Sequence, residues 1–482
     1  MGTEVDTASI QFIIFGLGIA ILSNFSRSPV WRSSVLAFAS IAFLSLLAMQ
    51  PVVLIPLTGF LLLGYAGIAV QRPERPRLMA TSISIVIFAY IWLKKYTFLP
   101  GRIFLTHPYF TLGLSYIFFR VLHLLIEAPE SDGERRISFG SFLLYTLNFT
   151  TLVSGPIQRY DQFAQDQFAS QPLPLGAGVV ALQLERIVCG FFKVNVLATL
   201  LDMLRVDALA EMWQPVPASF KMFAAFRLAI VYPLFLYSNF SGYIDIVIGL
   251  ARLMRLRLPE NFNRPFSASS FIEFWDRWHI TLSTWLKSYV YNPLLLALMR
   301  QVESRSAEQF VGVFSFFVTF FLIGVWHGRT SAFVFFGVLQ GAGVAINKLW
   351  QLKLTGAFGR TRYRALAANP LYIAFSRGLT FSWFALTLFW FWAGWSQIQK
   401  IYSSLNAIEW LGVWISVWLC STAALALWEG LRGALLAVKT STGPVFTSPY
   451  ARVVYTSALG VIALVLRVLL SLPAPDIVYK AF

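Results

Sequence analysis

The chain has 482 residues, 57% of them hydrophobic and 12% charged, with a mean hydropathy of +0.67. That is more apolar surface than one soluble core buries, so a single soluble globular domain is excluded and a bilayer must cover the remainder. A net charge of +16 raises nucleic acid as a partner, but the Lys and Arg fall in short clusters between apolar runs, such as Arg72, Arg75 and Arg77, a pattern of membrane orientation.

Backbone groups in hydrocarbon have no water to bond, and the apolar runs do not alternate as barrel strands do, so they are predicted as helices. With roughly 20 mostly apolar residues needed to cross, candidates fall in order near 8–23, 33–50, 52–70, 78–93, 109–126, 140–154, 177–200, 220–238, 240–254, 309–326, 331–349, 371–394, 408–428 and 452–472. The expectation is an all-α polytopic transmembrane protein with about eleven to fourteen membrane segments. No fixed-period repeat, low-complexity tract or long polar linker divides it, so 1–482 reads as one membrane domain. The first apolar run lacks basic residues before it and a small-residue cleavage site after it, and is read as a retained span. Placing Glu4 and Asp6 outside puts Arg27, Arg32, the 71–77 cluster, Arg135 and Arg136 inside, although Lys94, Lys95 and Arg102 then fall on the other side. Cys189 and Cys420 are far apart in apolar stretches, which indicates neither a disulfide framework nor a thiolate metal site.

Residues 257–300 are too polar to cross lipid alone. Ser270 and Glu273 have capping-box spacing, which predicts a helix start. Phe271, Phe274, Trp275, Trp278, Leu282, Trp285 and Leu286 recur at three- and four-residue steps opposite Glu273, Asp276, Arg277 and Lys287. The pattern predicts an amphipathic helix near the membrane plane, with His279 at the edge of its apolar face. Taken alone, this stretch is explained by an interfacial anchor with a hydrogen-bonded His.

The segment Gly324-Val325-Trp326-His327-Gly328-Arg329-Thr330 separates two apolar runs and carries one of only four His. An ionisable group at membrane depth is costly and defaults to a functional hypothesis, and the flanking glycines admit a close backbone or substrate. A short extramembrane turn with a solvated His explains the spacing equally well. Asp245, four residues after Ser241, is expected to bond it as a structural pair. His107 and His123 read as structural residues. The dispersed His and the absence of a His-Glu-x-x-His or Cys cluster argue against a metal, and no nucleophile elbow or P-loop is present.

Five segments resemble one known family in its order. They are Ser154-Gly155-Pro156-Ile157-Gln158-Arg159-Tyr160, Asn239-Phe240-Ser241-Gly242-Tyr243-Ile244-Asp245, Pro259-Glu260-Asn261-Phe262-Asn263-Arg264-Pro265-Phe266, Phe274-Trp275-Asp276-Arg277-Trp278-His279-Ile280-Thr281-Leu282-Ser283 and Gly324-Val325-Trp326-His327-Gly328. Together they resemble the membrane-bound O-acyltransferases, and within them the bacterial branch of alginate O-acetyltransferases and teichoic acid D-alanyl transferases. The resemblance covers residues 110–345 as an acyltransferase core and leaves 400–482 as possible additional C-terminal segments. It implies His327 as the catalytic His, His279 as the second His of the active site, and Asn261, Trp275, Trp278, Ser283 and Trp326 as substrate-binding residues. It further implies interfacial or re-entrant helices around a central tunnel, a bacterial inner-membrane location, and an acyl-CoA or acyl-carrier-protein thioester as co-substrate rather than a bound cofactor. Membrane lipids, a cytoplasmic donor or carrier protein and envelope acyl-transfer proteins are the implied partners. The sequence departs from the pattern where relatives place a further His-Gly pair, since Phe336-Gly337 is here followed by Gln340-Gly341, and where Lys287-Ser288 replaces Arg-Asp.

Neutral imidazole, with an ordinary pKa of about 6.5, suits removal of a proton from an attacking alcohol. His327 is therefore expected as general base and His279 as a positioning group or oxyanion donor. The competing expectation from another class is a transporter or flippase for a lipid-linked envelope precursor, although the paired breaks in two halves that such proteins often show are missing.

Overall fold

The computed structural model describes residues 9–48, 50–71, 74–127, 137–302, 304–437, 439–440, 443–444, 448–470 and 475–476. Glu4, Asp6, Arg72, Arg135 and Arg136, on which much of the predicted orientation rests, lie outside the described residues.

Helices dominate. Among the described residues, ten are long and apolar enough to cross a membrane: Pro29–Leu47, Pro51–Val70, Pro76–Leu93, Ala177–Met212, Ala218–Leu253, Ala307–His327, Ser331–Ala367, Pro370–Trp392, Ala407–Ala437 and Pro449–Leu469, beside the shorter apolar Ile10–Ser23. The protein is an all-α polytopic membrane protein, as its apolar runs predict. A two-residue antiparallel pairing, Lys439–Thr440 with Gly443–Pro444, is the minor exception.

The chain divides into two compact units. One comprises Met1–Asn195, Phe240–Glu260 and Asp476–Phe482, and the other Val196–Asn239 and Asn261–Pro475.

In the first unit, the segment 140–154 departs from its reading as a span. A helix covers only Phe139–Thr146, and turns follow. The cause is Arg120, wholly buried on the Leu114–Glu127 helix. Its guanidinium donates to the carbonyls of Thr146 at 2.8 Å, Tyr145 at 3.3 Å and Thr151 at 2.5 Å. Its Nη1 and Nη2 thus take three carbonyls of the segment, including those at the end of the helix, and irregular backbone is tolerated at membrane depth when protein buries it. Tyr145 donates to the Gln158 carbonyl at 2.6 Å, and Gln158 Nε2 to the Arg257 carbonyl at 2.7 Å. These contacts fold the Ser154–Tyr160 motif into the interior.

Asp245 is paired otherwise than expected. Its carboxylate bonds Arg186 Nε at 2.9 Å and Lys193 Nζ at 2.7 Å, while the Ser241 hydroxyl is buried with no hydrogen-bond partner among the described residues. Two cations outbid a neutral hydroxyl for a carboxylate. His123 is buried, and its Nε2 accepts from the Tyr160 amide at 3.1 Å.

The expected spans 220–238 and 240–254 are one 36-residue helix, Ala218–Leu253, that carries Pro233 inside it. Ser238, Asn239 and Ser241, at the junction of the two expected spans, are all buried in protein, where their polarity does not oppose a helix. At 1.5 Å per residue this helix is about 54 Å long, more than the roughly 30 Å of hydrocarbon it crosses.

In the second unit, an apolar core joins the 199–212, 218–253, 370–387 and 407–437 helices through Ala208, Met212, Ala225, Phe381, Ala385 and Val417. The Arg305–His327 and Ser331–Ala367 helices form a close hairpin. A Cβ on Gly324 would stand 2.1 Å from the Gly337 Cα, and one on Gly337 would stand 2.3 Å from the Phe321 carbonyl oxygen. Only glycine permits backbones this near, the small-residue packing that membrane helices use in place of a hydrophobic driving force. The seam sets the end of the first helix, and with it His327, against the start of the second.

Candidate active site

The polar stretch 257–300 is not one continuous amphipathic helix. Ser270 caps a first helix, Phe271–Arg277, by accepting from the Glu273 amide at 3.2 Å, so the predicted start is correct. The Glu273 carboxylate reaches the Ser269 amide at 2.7 Å, one residue before the position a capping box prescribes. The helix then breaks: Trp278 is extended, His279 is left-handed at φ 45° and ψ 51°, and a second helix runs Ile280–Leu286.

The break has a partner in sequence. Residues Asn261–Asn263 lie against it, with the Asn263 amide donating to the Arg277 carbonyl at 2.9 Å and the Ile280 amide to the Asn261 carbonyl at 3.0 Å. Phe262 and Trp278 form an isolated antiparallel bridge. Asn261, fully buried, accepts through Oδ1 from the Thr281 amide at 3.1 Å and the Thr281 hydroxyl at 2.6 Å. Left-handed backbone is unfavourable for a residue with a Cβ, and such conformations persist where surrounding contacts over-determine them. Ser283 braces the same turn: its amide donates to the His279 carbonyl at 3.1 Å and its hydroxyl contacts the Trp278 carbonyl at 3.4 Å.

The consequence is burial. His279, predicted at the edge of an interfacial helix, is 0% exposed, and His327 is 3% exposed. The Trp326 ring packs against both imidazoles, 6.1 Å from His279 and 4.7 Å from His327 between centroids. His327 also meets Phe391 edge-on at 5.0 Å and Phe336 at 6.1 Å. Burial lowers the His279 pKa to about 3, because the charged ring would lose its water. Its imidazole is therefore neutral at physiological pH.

Of the remaining predicted residues, Trp275 and Trp278 are buried near this turn in an aromatic cluster. Trp275 packs on Phe320 at 5.3 Å, and the ring contacts of Trp278 include Phe262 at 5.1 Å, Phe384 at 5.1 Å and Phe274 at 5.6 Å. Among the described residues the Nδ2 of Asn261 and the Nε1 of Trp275 are buried without hydrogen-bond partners. Phe391 was not singled out by the sequence; it lies in the Phe389–Trp392 turn of helix, where nothing local marks it off from other aromatic runs. Gln340, noted only as a departure, is buried and donates to the Thr387 hydroxyl at 2.8 Å. Among the described residues no group of three or more His, Cys, Asp or Glu side chains converges to hold a metal ion.

Two buried imidazoles thus share one indole, one at a helix end and one on a left-handed turn, within a many-helix membrane protein. The profile of the membrane-bound O-acyltransferase family matches residues 33–388, and the chain belongs to that family. Among named relatives, it is 28% identical to the teichoic acid D-alanyltransferase of Bacillus subtilis over 47% of this chain and 56% of that protein. It is 29% identical to the enzyme of the same name from Streptococcus thermophilus, over 50% and 58%. With the probable alginate O-acetylase AlgI of Pseudomonas aeruginosa it shares 27% over 59% of this chain and 54% of that protein. The chain thus spans little more than half the length of the curated relatives it matches.

Proposed function

We propose that this protein is an O-acyltransferase of a bacterial cytoplasmic membrane, moving an acetyl or D-alanyl group from a thioester donor to a hydroxyl of a cell-envelope polysaccharide. The observation that carries the reading is the pairing of His279 and His327 around Trp326, inside protein and in a chain of this family.

In this mechanism His327 takes the proton of the acceptor hydroxyl as its oxygen attacks the acyl carbon. The carbon–oxygen bond forms, the carbon–sulfur bond breaks, and the proton passes from His327 to the departing thiolate. A neutral imidazole is the form able to act as base. His279 lends a hydrogen bond to the acceptor or to the developing oxyanion, a task for which neutral imidazole carries a ring N–H. Trp275, Trp278 and Trp326 exclude water, which would otherwise compete as acceptor and hydrolyse the donor. Asn261 and Ser283 belong to the same substrate-binding region, and the spare Nδ2 of Asn261 is a donor available to a ligand. The donor, acyl-CoA or an acylated carrier protein, is a co-substrate. Envelope acyl-transfer proteins that receive or relay the group are the fitting partners.

The test is reconstitution of the purified chain with a labelled acyl thioester and a polysaccharide acceptor. Covalent labelling of the acceptor that disappears in His327→Ala supports the reading. Movement of a lipid-linked precursor without covalent labelling would instead establish a transporter.

A further inference from the structure

A second feature lies in the first unit and is independent of the two histidines. Three helix ends meet where Ile10–Ser23 stops, Pro29–Leu47 begins and Ala218–Leu253 stops. Asn24 ties two of them, its Nδ2 donating to the carbonyls of Ala20 at 2.7 Å and Leu253 at 2.8 Å, while its Oδ1 accepts from Arg255 Nε at 2.7 Å. Arg255 itself is left-handed, at φ 66°.

Five guanidiniums crowd this knot. Arg255 stands within electrostatic range of Arg27 and Arg252, Arg252 of Arg257, and Arg32 of Arg255. The carboxylate facing them is Asp166, 2% exposed and gripped by Arg257 through the backbone amide at 2.8 Å and Nη2 at 2.6 Å. The other partners are neutral carbonyls: Arg32 donates to Asp166 and Ala169, Arg252 to Pro174, and Arg255 to Leu173. Carbonyls satisfy hydrogen bonds without cancelling charge, so among the described residues five cations against one anion leave a focused positive field. Arg252 Nη1 is buried with no hydrogen-bond partner among the described residues.

The surface beside the cluster is apolar. Phe25 is 73% and Val30 74% exposed, and Ile14 and Ile21, two turns apart on one face of the first helix, are exposed as well. Trp31 donates its Nε1 to the Leu22 carbonyl at 2.9 Å, an aromatic ring at a helix end of the kind favoured at headgroup level. A soluble phosphate gains nothing from this apolar face, whereas a phospholipid uses both parts. We propose that the arginine cluster binds the phosphate-bearing headgroup of an anionic phospholipid, with the acyl chains along Ile14, Ile21 and Phe25. Guanidinium forks match phosphate oxygens bidentately, which is why arginine suits this role better than lysine.

Native mass spectrometry of the full chain, extracted from vesicles of mixed phosphatidylglycerol and phosphatidylcholine, tests the proposal. The wild type is expected to retain phosphatidylglycerol in preference to phosphatidylcholine. Arg27→Gln and Arg257→Gln are each expected to lower that retention about fivefold. Because Arg257→Gln also strips Asp166 of its ion pair and can upset folding, Arg27→Gln, an exposed residue outside the ion pairs of the described residues, is read on its own. Equal retention of the two lipids by the wild type overturns the proposal, as does unchanged retention in a folded Arg27→Gln protein. Displacement of bound phosphatidylglycerol by inorganic phosphate at equal concentration overturns it too, and assigns the cluster to a soluble phosphate.

Discussion

Asn261 and Thr281 are joined twice: one side-chain oxygen of Asn261 accepts both the hydroxyl of Thr281, at 2.6 Å, and its backbone amide, at 3.1 Å. The Asn261 carbonyl also accepts from Ile280 at 3.0 Å, so three hydrogen bonds close over the left-handed backbone of His279. Asn261→Ala leaves a buried amide unsatisfied and is expected to destabilise the fold by about 2 kcal/mol, against about 1 kcal/mol for Thr281→Val, which loses the hydroxyl bond alone. Acyl transfer should fall mainly in kcat, because the ring of His279 would no longer be held. Thermal unfolding and steady-state kinetics of the two variants check the order.

His327→Gln is expected to lower acyl transfer by about 10²- to 10⁴-fold, the usual contribution of a positioned general base, with the protein still folded in the membrane. Product formation beside a melting curve separates chemistry from folding. Turnover near the wild-type rate in the variant would remove His327 from the role of base.

His279 gives stability a pH dependence of definite sign. In the unfolded chain its imidazole titrates near its ordinary value of about 6.5, whereas burial holds the folded value to about 3. Between these values the unfolded chain takes up a proton that the folded protein refuses, so stability falls as pH falls, by about 1.4 kcal/mol per pH unit from this group. His279→Asn, whose side chain tolerates left-handed backbone, is expected to remove that contribution. Unfolding of the two proteins between pH 4 and 7 measures it, as the difference of their slopes; parallel slopes would place the ring in contact with water.

Diethyl pyrocarbonate, which reacts with accessible neutral imidazole, should modify the exposed His107 first and spare the buried His123, His279 and His327. Peptide mass spectrometry over a time course reports the order. His327 reacting as fast as His107 would show water at that ring, contrary to the proposed role of the site in shielding a thioester.

Gly324→Ala is expected to destabilise the protein by about 1 to 3 kcal/mol, since the added methyl meets the Gly337 backbone and cannot be relieved by a rotamer change. Activity should fall further than stability, because the same displacement moves His327 three residues on. Gly312→Ala, on the same helix with open space at its Cβ, is the control and should be neutral in both measurements.

The amino-acid sequence by itself determined the class of protein and put forward the two histidines of the proposed site. Apolar runs in a chain with no alternating pattern admit only helices in lipid, and a His at a glycine-flanked seam is rare enough to stand out. Periodicity could not show the break at Trp278–His279, because the three- and four-residue spacing of Phe274, Trp275, Trp278 and Leu282 continues through it; the break is imposed by Asn261–Asn263, a segment that local pattern does not connect to it. The turns after Thr146 likewise follow from Arg120, and the partners of Asp245 from Arg186 and Lys193, each a charge contributed from another part of the chain. Local composition selects helix or turn where the solvent is uniform. Inside the protein, buried charges and hydrogen bonds from distant residues outweigh that preference, and only the tertiary structure decides where they fall.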